Sequence, residues 1–537
     1  MFAVQVAAAL GVAVLVGSVL AARLRLSAPV VLVVIGLLLT IVPSLRRVEL
    51  PPEVVLLIFL PILLFWESFS ASAREIRRQL GRIVLSGTLL VVVTAAVVAV
   101  VGHALGLSWA TAWLIGAAVA PTDATAVAAL GRLMPRRETT MLQAESLIND
   151  GTALVVFGLA LEFATEDIAF SSAHAGRLLA VSLTGALVVG AAIGWIDGHV
   201  RRFLSNPRHH NVLAVLTPFA AFLVAEEIHA SGVLAVVVSG LWVSQTAPRT
   251  VSAQARQQGT GFWTLTTFLL NGGLFVLIGM EIPIAVDGLA GGDLRSAVAA
   301  AVGVYVAVLV TRFAFISAMS LLGRLFDRNQ ERREMRSTLR GRVVVTVAGL
   351  RGAVSLAVAL SVPATIAGGA ARDTAVFVTA CVVVGSLTIQ GLLLPHVVRW
   401  AELPEESTTQ DELDFAIVTA LDAAIFALPE LAERVGADED VLDEVRDEYT
   451  EWRDLRADDI DEEEIRRREQ YRALRLAAIA HQRETVVRLR DDHVIDGAVQ
   501  RRIEARLDIE EIRLRGPGER NAARPPAARR RSVGSDE

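Results

Sequence analysis

The sequence predicts an all-α polytopic membrane protein: about thirteen transmembrane helices with inverted repeats, two of them interrupted, followed by a C-terminal cytosolic helical domain. Three observations predict it. Of the 537 residues, 53% are hydrophobic and 20% are charged, whereas a soluble chain carries about 25% charged residues. The charge is uneven: residues 1–400 hold 29 Arg against 21 acidic residues, and residues 401–537 hold 22 Arg against 36. Apolar stretches close to the roughly 20 residues that a membrane crossing needs recur through the first four hundred positions.

Thirteen stretches qualify, near 3–22, 28–44, 53–72, 83–105, 109–130, 140–164, 176–199, 211–228, 231–247, 260–282, 296–322, 340–366 and 374–398. The first lacks a charged leading segment and a clear cleavage site, so it reads as a retained helix and not a signal peptide. The short gap at Ala230 makes the boundary between the eighth and ninth the weakest. Arginine tests the count, because it concentrates in cytoplasmic loops. With the N-terminus outside, the inner loops with the adjoining span ends at Arg340 and Arg342 hold 21 Arg, and the outer loops with the span end at Arg177 hold 5. That asymmetry predicts a multi-pass protein of the plasma (inner) membrane, N-terminus out and C-terminus in.

Composition also excludes chemistries. All 51 basic residues are Arg, so neither a P-loop Lys nor a Schiff-base amine is present. The single Cys381 excludes internal disulfides and Cys-based zinc or iron–sulfur sites. No HExxH motif occurs, and Ser, His and Asp do not cluster within the spans, so an enzyme is not expected. Arg208, His209 and His210 read as an ordinary cytoplasmic charge cluster and not a metal site. No cofactor and no nucleic-acid partner is expected.

A charge near the bilayer centre costs roughly 2.5–3.5 kcal/mol even on insertion scales. Asp123, Glu145, Asp150, Arg312 and Arg351 fall inside the spans and therefore need a partner, a wet cavity or a proton. Glu67 lies near the end of the third span and is less telling. In the fifth span, Ala120-Pro121-Thr122-Asp123 puts a helix-breaking Pro before a hydroxyl and a carboxylate. This reads either as a broken helix facing a midplane cavity or as a simple kink with Asp123 bonded to a neighbour. In the sixth span, Ser146 and Asp150 are four apart and share a face, as do Glu145 and Asn149 on the adjoining face. Such oxygen density suits a small monovalent cation; the alternative is a polar seam that glues helices. In the twelfth span, Gly349-Leu350-Arg351-Gly352 suggests a second interruption. Its buried Arg wants a carboxylate, and Glu145 is the best candidate for a structural pair. The two interruptions occupy the fifth place in each half of a six-one-six division, the expected pointer to a transporter site between inverted repeats.

The strings APTDATAV, ESLINDGTALVVF, FVLIGME and GLRGAVSLA, in that order, resemble the sodium/proton exchanger branch of the cation/proton antiporters, with its NhaP-like and NHE-like members. FLPILLFWESF at 59–69 is similar to that family's third-helix motif. The resemblance covers about residues 1–400. It implies a broken-helix Thr-Asp at Thr122 and Asp123, and an Asn-Asp pair at Asn149 and Asp150 with Asp150 as the principal cation and proton carrier. It implies a Ser near the ion at Ser146, hence Na+ held by Asp123, Ser146 and Asp150, and a structural ion pair of Glu145 with Arg351. One departure stands out: the family's Pro after the Asp is Ala124 here.

The implied function is an antiporter exchanging Na+ (or Li+) for H+, serving pH homeostasis, with Asp150 holding one or the other. A bare carboxylate is too costly to carry across the apolar barrier, so exchange is obligatory. Asn149 agrees with the electroneutral, 1:1 members. A K+/H+ antiporter of the same architecture is an alternative, and a cation channel a weaker one. The expected partners are monovalent cations, protons, the lipid bilayer and, by resemblance, a second copy in a homodimer.

By composition, residues 1–400 form a membrane transport domain, 401–515 an acidic cytoplasmic helical domain and 516–537 a disordered tail. Helical spacing in the acidic part predicts helices near 409–428, 437–456, 460–491 and 494–514. A solvated bundle aiding dimer contact is the plain reading, and regulation of transport the sharper one.

Overall fold

The structure, a computed structural model, describes residues 2–24, 26–42, 55–123, 136–165, 172–289, 294–326, 338–363, 366, 370–402, 408–454, 462–492, 494 and 496–515. All described elements are helical. The chain forms two compact units, Met1–Glu406 and Ser407–Glu537. The expected tail 516–537 and Ala124 lie outside the described residues.

The first unit runs α1 (Phe2–Leu24), α2 (Ala28–Leu39), α3 (Leu60–Ser70), α4 (Ala73–Leu85), α5 (Val91–Ala104), α6 (Trp109–Val119), α7 (Arg136–Thr165) and α8 (Ser172–Arg201). It continues with α9 (Pro207–Glu227), α10 (Gly232–Thr250), α11 (Ala253–Gly288), α12 (Leu294–Phe326), α13 (Leu339–Val347), α14 (Ala353–Leu360), α15 (Ala370–Gly385) and α16 (Gly391–Ala401). Capping residues start several of them by satisfying orphan backbone N–H groups. Ser108, Ser231, Ser252 and Thr338 each accept from the N–H three residues on. The weak boundary between α9 and α10 is resolved in this way: His229 takes a left-handed φ of 57°, and Ser231 then caps α10. In this unit seven described helices are long and apolar enough to cross a membrane, with α2, α3 and α6 shorter apolar helices.

Both interruptions expected in the sequence are present as breaks. α6 stops at Val119 and the chain is non-helical by Thr122 and Asp123. α13 stops at Val347, residues 349–352 are non-helical, and α14 restarts at Ala353. A π-turn at Ser386–Gln390 joins α15 to α16 beside the second break; such turns frequent functional sites.

Two apolar cores hold the unit together. The larger gathers residues of α1, α2, α5–α7 and α11–α16. The smaller gathers α3 and α8–α10 with Leu147 of α7 and Trp263 of α11. Without a hydrophobic drive between helices in lipid, close backbone approach supplies the packing. The tightest instance is reciprocal: a Cβ on Gly36 of α2 would strike the Val276 carbonyl of α11, and one on Gly279 of α11 would strike the Val33 carbonyl of α2.

His210 departs from the expected exposed charge cluster. It is 3% exposed, its Nε2 donates to the Leu204 carbonyl at 2.9 Å, and its own carbonyl accepts from Arg201. The turn between α8 and α9 folds the ring inward because backbone carbonyls there need a donor.

In the second unit α17 (Thr408–Val435) packs with α18 (Glu439–Asp454), and α19 (Glu462–Asp491) with α20 (Gly497–Arg515). Ile479, Val486 and Leu507 are the buried apolar contacts of the latter pair, flanked by Arg483 bonded to Asp508 and Glu511 and Arg475 to Glu510. α17 runs past Pro429 to Val435, seven residues beyond the expected end, and leaves Phe415 and Phe426 exposed.

Gly279→Ala is expected to destabilise the transport unit by about 1–3 kcal/mol, the usual cost of overpacking. A lowered Tm of the purified protein in detergent, against an unchanged Tm for Gly273→Ala, whose Cβ meets open space, checks it.

Candidate functional site

The site grows from one face of α7. Glu145, Ser146, Asn149 and Asp150 are each 2–4% exposed, so four polar side chains enter the interior within a turn and a half. Two of them hold the first broken helix. Ser146 Oγ donates to the Thr122 carbonyl at 2.5 Å, and Asn149 Nδ2 donates to Thr122 Oγ1 at 2.7 Å. An ionised Asp at position 149 could only accept from the Thr122 hydroxyl, because a carboxylate has no proton to donate.

The two breaks meet each other. The Asp123 backbone N–H donates to the Leu350 carbonyl at 2.8 Å, so an orphan donor of one break satisfies an orphan acceptor of the other. Arg351 Nη1 donates to the Ala120 and Pro121 carbonyls, which Pro121 and the end of α6 leave without helical partners. The Arg351 N–H donates in turn to Ser386 Oγ at 3.0 Å. Gly352 is required here, since a Cβ would collide with the Asp123 carboxylate.

The expected pairing of Glu145 with Arg351 needs correction. Glu145 Oε1 pairs with Arg312 Nη1 at 2.7 Å, both nearly fully buried, and Arg312 Nε donates to the Val345 carbonyl at 3.3 Å. The physical reason is placement. Arg351 is occupied by the carbonyls of the first break, and Arg312 of α12 reaches Glu145 through the space that Gly349 leaves open.

Asp150 has no hydrogen-bond or ion-pair partner among the described residues and faces a cavity of about 30 Å³, enough for a single water or ion. Thr122, Asp123, Ser146 and Ser355 line it as well, and the buried Ser355 Oγ has no hydrogen-bond partner among the described residues. Two further polar groups come from the opposite wall: Glu67 of α3 and Asn271 of α11. Glu67 was discounted in the sequence because it sits near the end of its span. α3 is short, and its last turns lie on the cavity. Asn271 makes no hydrogen bond among the described residues. Its signal was available, as an amide within an apolar run before Gly272-Gly273, but one amide per span is common helix glue.

A polytopic helical bundle whose two broken helices meet beside buried acids has the architecture of a secondary transporter. The chain belongs to the sodium/hydrogen exchanger family, whose transmembrane model matches residues 10–400. It is 40% identical over 527 residues to an uncharacterized Na(+)/H(+) exchanger of Mycobacterium tuberculosis, covering 96% of this chain and 97% of that one. It is 30% identical over 395 residues to the Na(+)/H(+) antiporter NhaS2 of Synechocystis, covering 72% and 70%. Its fold is similar to that of the sodium proton antiporter MjNhaP1 of Methanocaldococcus jannaschii, with a TM-score of 0.60 at 19% identity, over 75% of this chain and all of that one. The protein is thus a multi-pass transporter of the sodium/proton exchanger type.

The corrected pairing yields a double-mutant test. Glu145→Gln leaves Arg312 as an orphan buried charge and is expected to cost about 3–5 kcal/mol of stability. Adding Arg312→Gln recovers part of the lost Tm, whereas adding Arg351→Gln lowers it further. Thermal unfolding of the three variants decides between the two arginines.

Proposed function

We propose that the chain exchanges Na+ (or Li+) for H+ one for one and electroneutrally across the plasma membrane, by alternating access, with the two ligands competing at Asp150. The observation that carries this reading is the Asp150 carboxylate, buried, facing a one-ion cavity and not locked to either buried arginine. A bare carboxylate in that setting is strongly disfavoured during passage between the two faces. A proton or a monovalent cation each removes the charge, so the loaded forms cross and the empty form does not.

The other residues have supporting parts. Thr122 and Ser146 present oxygens to the cation beside Asp150, and Asp123 lies across from them. Arg351 and Asn149 hold the broken backbone in place. The Glu145–Arg312 pair is neutral and stays so. Electroneutrality then requires Glu67 and Asp123 to keep one protonation state through the cycle. Alternating access is a rearrangement of the α3 and α11 wall against the wall of α6, α7 and α14. The Arg distribution sets the N-terminus outside and the acidic unit in the cytoplasm, and two copies assemble as a homodimer.

Asp150→Asn is expected to abolish sodium-dependent proton flux in proteoliposomes followed by a pH dye. In the wild type, competition makes the apparent KM for Na+ rise as pH falls, approaching about tenfold per unit where the proton holds the site, by linkage. A valinomycin clamp is expected to leave the rate unchanged. Flux retained in the Asn variant, or a KM insensitive to pH, overturns the Asp150 assignment. A rate that follows membrane potential overturns the 1:1 exchange, and equal flux with K+ replaces the cation.

A further inference from the structure

A cavity of the transport unit distinct from the acid site holds about 430 Å³ between α3, α9, α10, α11 and the end of α8. One wall is aromatic. Trp66 and Trp263 stack with ring centroids 5.6 Å apart and planes 5° apart, and Phe65 and Phe69 extend the layer. The rim is cationic: Arg201 and Arg256 line it, and no carboxylate does among the described residues.

The two arginines differ. Arg201 is buried and clamped by Asp197 at 2.5 and 3.0 Å, and Asp197 also accepts from Thr217 at 2.7 Å, so this charge is neutralised and rigid. Arg256 has no carboxylate partner among the described residues; its Nη1 donates to the Val251 carbonyl at 2.6 Å. Asn211, also on the lining, makes no hydrogen bond among the described residues. The cavity therefore combines a large apolar surface, one uncompensated positive charge and one open amide. The same Arg asymmetry that orients the chain sets these helix ends at the cytoplasmic face, where anionic headgroups attract Arg.

We propose that this cavity binds an anionic phospholipid of the inner leaflet, its phosphate at Arg256 and Asn211 and an acyl segment against Trp66 and Trp263. A soluble anion fits less well, since it would leave the aromatic wall uncovered and meet one free charge only. The site is coupled to transport through shared helices. α3 turns Phe65, Trp66 and Phe69 to the lipid and Glu67 to the acid cavity, and α11 turns Trp263 to one and Asn271 to the other. Lipid in the cytoplasmic cavity thus sets the position of the wall that faces Asp150, and it modulates the exchange rate. This last step rests on the exchanger reading; the binding itself does not.

The test uses the full chain in phosphatidylcholine nanodiscs, with brominated-acyl phosphatidylglycerol as the quenching probe of Trp fluorescence and brominated phosphatidylcholine as its neutral control. The expected result is saturable quenching with about a fivefold preference for the anionic lipid, the factor that one Arg near a headgroup supplies. That preference disappears in Arg256→Gln and in the cavity-filling Ala247→Trp. Equal quenching by both lipids, or a preference that survives Arg256→Gln, overturns the proposal, and this exposed substitution answers even if Ala247→Trp does not fold. Displacement of the probe by inorganic phosphate alone overturns the lipid as the source of the anion. In proteoliposomes at high salt, where surface potential is screened, phosphatidylglycerol is expected to change the exchange rate of the wild type and not of Arg256→Gln. An identical response of both proteins overturns the coupling while leaving cation/proton exchange itself intact.

Discussion

The transport unit depends on one contact: the Arg351 guanidinium donating to the Ala120 and Pro121 carbonyls at the end of the first broken helix. A bilayer offers no water to unsatisfied backbone, so a broken helix persists there only where protein groups complete it. The chain meets that requirement by crossing its two breaks. Arg351 closes the acceptors of one, and the Asp123 N–H closes the Leu350 acceptor of the other. Each break is thus the other's missing hydrogen-bond partner, and neither is expected to hold its shape alone.

This arrangement also governs the acids. Arg351 turns its Nη1 to those carbonyls, Glu145 pairs with Arg312, and Asp150 has no hydrogen-bond or ion-pair partner among the described residues before the cavity. The two buried arginines therefore divide the work, one stabilising backbone and one neutralising a carboxylate. Asn149 adds to the same framework, since its amide donates to Thr122 at the first break.

The cavity is built from two walls of different character. α6, α7 and the second break supply the residues that hold one another by hydrogen bonds. α3 and α11 supply Glu67 and Asn271, whose helices pack into the cores through close glycine and aromatic contacts. Those helices also border the aromatic cavity.

Much of this was legible in the residues themselves. Hydropathy and Arg asymmetry are sums over many positions, and they determined an all-helical membrane unit with an acidic helical appendix. Pro121 and the Gly349–Gly352 pair are local backbone statements, and they marked both breaks. The spacing of Ser146, Asn149 and Asp150 is a property of one helix and put them on a common side. Contacts between helices were not legible in this way. Which arginine meets Glu145 depends on α12 passing Gly349, Glu67 reaches the cavity only through the placement of α3, and His210 is buried by the fold of a turn. Helical period decides what one helix presents, but a partner across the bundle is chosen by packing, and that packing exists only in the folded chain.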